Sequence, residues 1–172
     1  MELAPEDAEA LVSMGSMFVA VGELNLSTHC LLKAVDIDRG SLGMTDGFGD
    51  GPDLQKGSKS GRDHHIGADA YYYLGLVSAI KGQLDDATEF FAHSLDIRPK
   101  GVCALRDSAV VYLAMGRLDN AAERIRKAQG LAGGDSQLKA LGRRVRIARA
   151  TKRIADFLWR LAGRFAFKGA RR

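Results

Sequence analysis

ADAYYYLGLVSAIKGQLDDATEFFAHSLDIRPKG, residues 68–101, sets two helical patterns back to back. Tyr71, Leu74, Gly75, Ser78 and Ala79 recur close to the i, i+3, i+4, i+7 spacing of one helix face. Gly82 then stops the pattern, and glycine is the residue that tolerates the left-handed turn after a helix. Leu84 opens a second pattern with Ala87, Phe90, Phe91, Ser94 and Leu95 on one side. Pro99 follows, where a helix does not easily continue.

The same plan returns 34 residues later. Gly82, Leu84, Ala87, Phe91, Ser94 and Ile97 become Gly116, Leu118, Ala121, Ile125, Ala128 and Leu131. It also stands 60 residues earlier, where Gly15, Gly22, Leu24, Ser27, Leu31, Ala34 and Ile37 take the places of Gly75 and its followers. The excess of 26 over one period is an insertion.

Small residues at Gly15, Gly75 and Ala109, and at Ser27, Ala87 and Ala121, have a physical use. Antiparallel helices approach closely only where side chains are small. Large residues such as Leu11, Leu31, Tyr71, Phe91, Leu105 and Ile125 then fill the space between pairs. A 34-residue helix–turn–helix period with this alternation resembles the tetratricopeptide repeat. Residues 68–101 match the pattern best, through Tyr71, Leu74, Gly75, Ala87, Phe91 and Pro99. The flanking copies depart at single sites: Arg39 and Gly133 where Pro is usual, and Ser108 where Leu is usual.

The resemblance implies an all-α, right-handed superhelical array of antiparallel helix pairs. Its organisation would be 1–7 as the tail of a preceding repeat, 8–41 as repeat one and 42–67 as a flexible glycine-rich insertion. Repeat two would be 68–101 and repeat three 102–135, followed by a capping helix at 136–150 and a basic amphipathic helix and tail at 151–172. The first helix of each pair is expected to line a concave face. On that basis the groove would comprise Val12, Ser16, Val19, Tyr72, Leu76, Ile80, Arg106, Val110 and Leu113. That face is mostly apolar, which suits an extended or helical peptide. The alternative is that these residues pack against the C-terminal helices or the insertion. Members that grip the acidic tail of heat-shock chaperones use a Lys/Asn/Arg clamp. The corresponding positions are Val12, Ser16, Tyr73, Cys103 and Asp107, which supply no such clamp, so that partner class is not expected.

Met1–Asp7 is double-edged. Pro5 stands where the closing Pro of an earlier repeat would fall, so the chain reads either as the C-terminal piece of a longer array or as a chance likeness. In Gly40–Gly67, eight of 28 residues are glycine. Asp46, Asp50 and Asp53 are spaced like a loose calcium loop, but no Glu closes a regular one. Asp63, His64 and His65 lack the companion ligands of a metal site. No cofactor or metal is expected, and a segment that orders on meeting a partner is the preferred reading.

Net charge is +4, but it is segregated. Residues 139–172 carry 12 Lys and Arg against the single acid Asp156, whereas residues 1–138 carry 13 against 20 acids. Asp135 reads as an N-cap for Ser136–Ala150, with Leu138, Leu141, Val145 and Ala148 as its buried stripe. Arg143 fills the small position, so this segment is a cap rather than a fourth repeat. From Thr151 onward Ile154, Phe157, Leu158, Leu161 and Phe165 share one side, with Trp159 near its border. The basic residues are Arg143, Arg144, Arg146, Arg149, Lys152, Arg153, Arg160 and Arg164. Four roles fit: folding back over the array, lying on an anionic membrane surface, binding an acidic protein or nucleic acid, and self-association.

Cys30 and Cys103 fall inside helical patterns and read as two buried, reduced thiols. No apolar run reaches the ~18–20 residues of a membrane span. The first residues lack the basic-then-apolar pattern of a signal peptide, so a cytoplasmic location is the default expectation. His29, His64, His65 and His93 form no recognisable catalytic set, so an enzyme is not expected. The functions left are an adaptor or scaffold that binds a protein or peptide, a small secretion- or assembly-type chaperone, and a membrane-peripheral scaffold held by the basic helix.

Overall fold

The computed structural model describes the backbone of residues 7–41 and 63–169, and the side chains of 7–39 and 66–159. Among these residues it contains α1 (Ala8–Val21), α2 (Leu24–Ser41), α3 (Asp63–Ile80), α4 (Leu84–Ile97), α5 (Val102–Ala114), α6 (Leu118–Leu131) and α7 (Ser136–Gly169). The helices α1/α2, α3/α4 and α5/α6 pair as antiparallel hairpins, and α7 packs on α6 and α5. First helices touch one another, α1 against α3 and α3 against α5, whereas no such contact joins the second helices α2, α4 and α6. The array therefore curves with its first helices on the inside.

All three hairpins close with one backbone motif. Gly22, Gly82 and Gly116 take φ of 88°, 80° and 72°, a region costly for residues with a Cβ. The next residue's N–H reaches back to the last turn of the first helix: Glu23 to Phe18 O, Gln83 to Ser78 O and Arg117 to Tyr112 O, at 2.9, 2.9 and 2.8 Å. These bonds satisfy carbonyls that a helix end leaves unpaired.

The small positions do what spacing alone suggested. A Cβ on Gly15 would lie 2.6 Å from Leu31 Cδ2, and one on Gly75 would lie 2.8 Å from Phe91 Cδ1. Leu31 and Phe91 are fully buried in the space this leaves. Burying each such side chain is worth about 1.5–3 kcal/mol relative to exposure. Ser27 and Ser94 are buried too, and each hydroxyl donates across its hairpin, to Gly15 O at 2.9 Å and Ala68 O at 2.8 Å.

A polar stitch recurs from unit to unit. Asn25, Asp85 and Asp119 each follow the leucine that opens a second helix. Each accepts from a cation of the next unit: Lys81 Nζ reaches Asn25 Oδ1 at 3.3 Å, Arg117 Nη2 reaches Asp85 Oδ1 at 3.2 Å, and Arg149 Nη2 bonds Asp119. Surface pairs of this kind contribute only ~0–1 kcal/mol each. Their effect is on register between neighbours more than on total stability.

Element ends differ from the sequence expectations. Helix α3 begins at Asp63, so 63–67 is helical and the glycine-rich insertion narrows to 42–62. Ile66 packs on the α1/α2 core and Ala68 is fully buried, which extends the helix backward. At the N-terminal edge, Asp7 Oδ1 accepts from the N–H of Glu9 at 3.0 Å and caps α1. Asp135 caps α7 in the same way, through Gln137 N at 2.7 Å. The expected capping and basic helices are one uninterrupted helix, because neither Pro nor Gly stands near the junction at Ala150–Thr151. The fold-back reading is thereby corrected: the side chains of 151–159 are all exposed. Pro5, together with Asp46, Asp50 and Asp53, lies outside the described residues, as do the side chains of Asp63, His64 and His65.

Candidate functional site

Three consecutive tyrosines on α3 point to three neighbours. The Tyr71 ring is half-buried against α4, its centroid 5.2 Å from His93 and 6.4 Å from Phe90. Tyr73 packs against the core shared by α1, α2 and α3. Tyr72 faces α5 and lies 6.0 Å from the Phe91 ring. Its Oη donates to Asp107 Oδ2 at 2.8 Å.

Asp107 is the hub of a polar chain across the inner face. Arg106 holds it with two donors, Nε to Oδ1 at 2.8 Å and Nη2 to Oδ2 at 3.2 Å. Arg106 Nη1 also donates to Gln137 Oε1 of α7 at 3.3 Å. The chain Tyr72–Asp107–Arg106–Gln137 thus ties α3, α5 and α7 together. Burial, then the Asp107 charge and the bond to it, push the Tyr72 phenol well above its ordinary value. The hydrogen bond to Asp107 pushes the Arg106 guanidinium further up, so it stays charged.

The apolar groove residues divide into two sets. Tyr72 and Leu76 are half-buried against the α4/α5 core, and Leu113 is half-buried against the α6/α7 side. Ile80 is 59% exposed and Val110 45% exposed, so both are open to a ligand. In the first repeat Ser16 is half-buried, with its hydroxyl donating to Ser13 O at 2.7 Å. Val19 is half-buried on the first core. Val12 does not belong to an open groove: it is buried in the same cluster as Leu31 and Leu74, covered where α1 meets α3. The accessible apolar row therefore lies on α3 and α5.

The basic residues also divide. Arg143, Arg144, Arg146, Lys152 and Arg153 are exposed. Arg149 is half-buried and paired with Asp119, and its Nε is buried without a partner. The side chains of Arg160 and Arg164 lie outside the described residues. Cys30 is buried as expected, but Cys103 is exposed on α5, since its position turns away from the Ala104–Leu105 packing side. Among the described residues no His, Cys, Asp and Glu converge as metal ligands.

Asp107 and Gln137 escaped the sequence reading as functional partners. A signal for Asp107 exists: residues one period apart sit beside each other on adjacent first helices, and Tyr72 and Arg106 are 34 apart. No comparable spacing points to Gln137, which lies outside the repeats.

Paired helices stacked with one curvature define an α-helical repeat solenoid. Residues 79–145 match the family model described as Tetratricopeptide repeat. No curated protein matches the sequence. Among solved structures, the chain is similar to MamA at 18% identity, over 91% of this chain and 71% of that one, with a TM-score of 0.65. It is similar to the first repeat domain of Spaghetti (RPAP3) bound to an HSP90 peptide, at 11% identity over 86% and 99% of the two chains, with a TM-score of 0.66. A third is the Arabidopsis OM64 repeat domain, at 14% identity over 81% and 93%, with a TM-score of 0.62. At these identities the likeness establishes the fold.

Proposed function

We propose that the array is a protein-interaction module, an adaptor or scaffold that takes an extended or helical segment of a partner along its inner face. The observation that carries this is the row Leu76, Ile80, Val110 and Leu113 on α3 and α5, apolar, with Ile80 and Val110 exposed and Leu76 and Leu113 partly so. Side chains spaced by about one helix turn along two adjacent helices suit alternate apolar anchors of a bound segment. The fold supports the reading, since the similar domain of Spaghetti (RPAP3) holds a peptide. An acidic-tail ligand is not favoured here. Val12 is buried, Tyr73 packs on the core, and Asp107 would repel a carboxylate.

Binding rather than catalysis is the better reading of the polar groups. Tyr72, Asp107, Arg106 and Gln137 bond one another and leave no free acid–base pair. The test is selection from a displayed peptide library on the full chain. Selected peptides should be apolar at spaced positions and should lose binding to L76S, I80S, V110S and L113S variants of unchanged helicity. Equal binding to all four, or selection of acidic tails alone, removes the groove. If an aggregation-prone client stays soluble on co-expression, the module acts as a chaperone through the same face.

A further inference from the structure

Helix α7 reverses its apolar side along its length. Leu138, Leu141 and Val145 are the stripe it buries against α5 and α6. Nine residues make two and a half helical turns, about 180° of rotation. Ile147 stands nine residues after Leu138, and Ile154 nine after Val145, and both are exposed. Phe157 and Leu158 follow Ile154 by three and four residues, on its side of the helix, and are also more than half exposed. Continuing the packing stripe instead leads to Lys152, Asp156 and Trp159. The apolar side of the distal half therefore faces away from the array that anchors the helix.

Charge selects what covers that side. Residues 139–172 hold 12 cations and one acid. A second copy would bring two such surpluses together, which is unfavourable. Nucleic acid would take the cations but offers no place for Ile154, Phe157 and Leu158 together. An anionic bilayer surface takes both, and a helix that joins an apolar side to a surplus of cations is suited to it. Trp159, 82% exposed, stands about 100° round the helix from Leu158, outside that apolar side. No helix among the described residues is long and apolar enough to cross a membrane, so α7 would lie on the surface.

We propose that the exposed half of α7 is a membrane-surface helix, seated on anionic lipid through Ile147, Ile154, Phe157 and Leu158. The reversal of sides then holds the repeats on the water side with their inner face free. This inference uses no groove residue and stands apart from the peptide-binding reading.

The full chain is mixed with phosphatidylcholine vesicles, with and without phosphatidylserine. The expected result is flotation with phosphatidylserine, weakening as salt shortens the screening length. An I154E/L158E variant should lose about tenfold or more in partitioning. Its circular dichroism should be unchanged, because both sites are exposed. Undiminished flotation of that variant, or no flotation with anionic vesicles, overturns the proposal. So does self-association without lipid, or binding of duplex DNA, that the same variant abolishes, each of which gives the face another occupant.

Discussion

Tyr72 and Asp107 are joined across neighbouring repeats by a 2.8 Å bond from phenol to carboxylate. Asp107 keeps its fork from Arg106 when that bond is removed. Tyr72→Phe should therefore cost about 1 kcal/mol, the net worth of an ordinary hydrogen bond. The variant also has a pH signature. Folding raises the Tyr72 pKa, so the neutral phenol is favoured in the native state. The stability this represents is complete below about pH 10, the unfolded value, and is lost as pH climbs toward the folded one. Partial exposure of the ring screens the effect and shallows the slope. Urea midpoints taken near neutrality and above about pH 10 should show a steeper alkaline decline for wild type than for Tyr72→Phe. Identical declines would mean that another group controls it.

The contact between Gly75 and Phe91 makes a second test. Alanine in place of a helical glycine normally gains about 1 kcal/mol from backbone preference. Here its methyl would enter the Phe91 ring at 2.8 Å, and overpacking costs about 1–3 kcal/mol. The net effect of Gly75→Ala should be destabilising by up to ~2 kcal/mol. Pairing it with Phe91→Leu should recover part of the loss, so a double-mutant cycle should give a favourable coupling. Additive losses would show that the two positions do not share the space.

Much of this was legible because the repeat chemistry is local. The turn glycines Gly22, Gly82 and Gly116 and the small–large pairs Gly15–Leu31 and Gly75–Phe91 fall at one spacing, and the structure places them together. What the period does not encode is the rotation of each first helix against the next unit. Val12 was read into the groove but is covered at the meeting of α1 and α3. The apolar residues after Thr151 form one face, and spacing within that segment alone does not say which way it points. The nine-residue offset from Val145 to Ile154 held that answer, since the helix has no break between them.

The two cysteines should differ in rate. Cys103 is exposed on α5 and Cys30 is buried in the core shared by α1, α2 and α3. Thiol reactivity requires access as well as thiolate. Titration of the native protein with a thiol-specific disulfide reagent should modify Cys103 at once, leaving Cys30 until denaturant is added. The Cys103→Ser variant should show no fast phase. A fast phase that survives in Cys103→Ser would place Cys30 within reach of solvent.

Docking of α7 on the array combines a buried stripe with a surface ion pair, and the two should contribute unequally. Leu138 is fully buried and Val145 nearly so. Truncating a buried leucine to alanine costs about 2–5 kcal/mol, through lost transfer energy and the cavity left behind. The Arg149–Asp119 pair sits at the surface, with Asp119 93% exposed, and pairs of this kind contribute at most about 1 kcal/mol. Leu138→Ala should thus lower the unfolding midpoint far more than Asp119→Ala. Removing Asp119 should show itself mainly as a reduced salt dependence, because an exposed pair is screened by ions and a buried leucine is not. Hydrogen exchange along 136–150 separates the contributions: Leu138→Ala should expose those amides, while Asp119→Ala should leave them protected. Equal loss of protection in both variants would mean that the ion pair, and not the apolar stripe, positions the helix whose far half turns its apolar side away from the repeats.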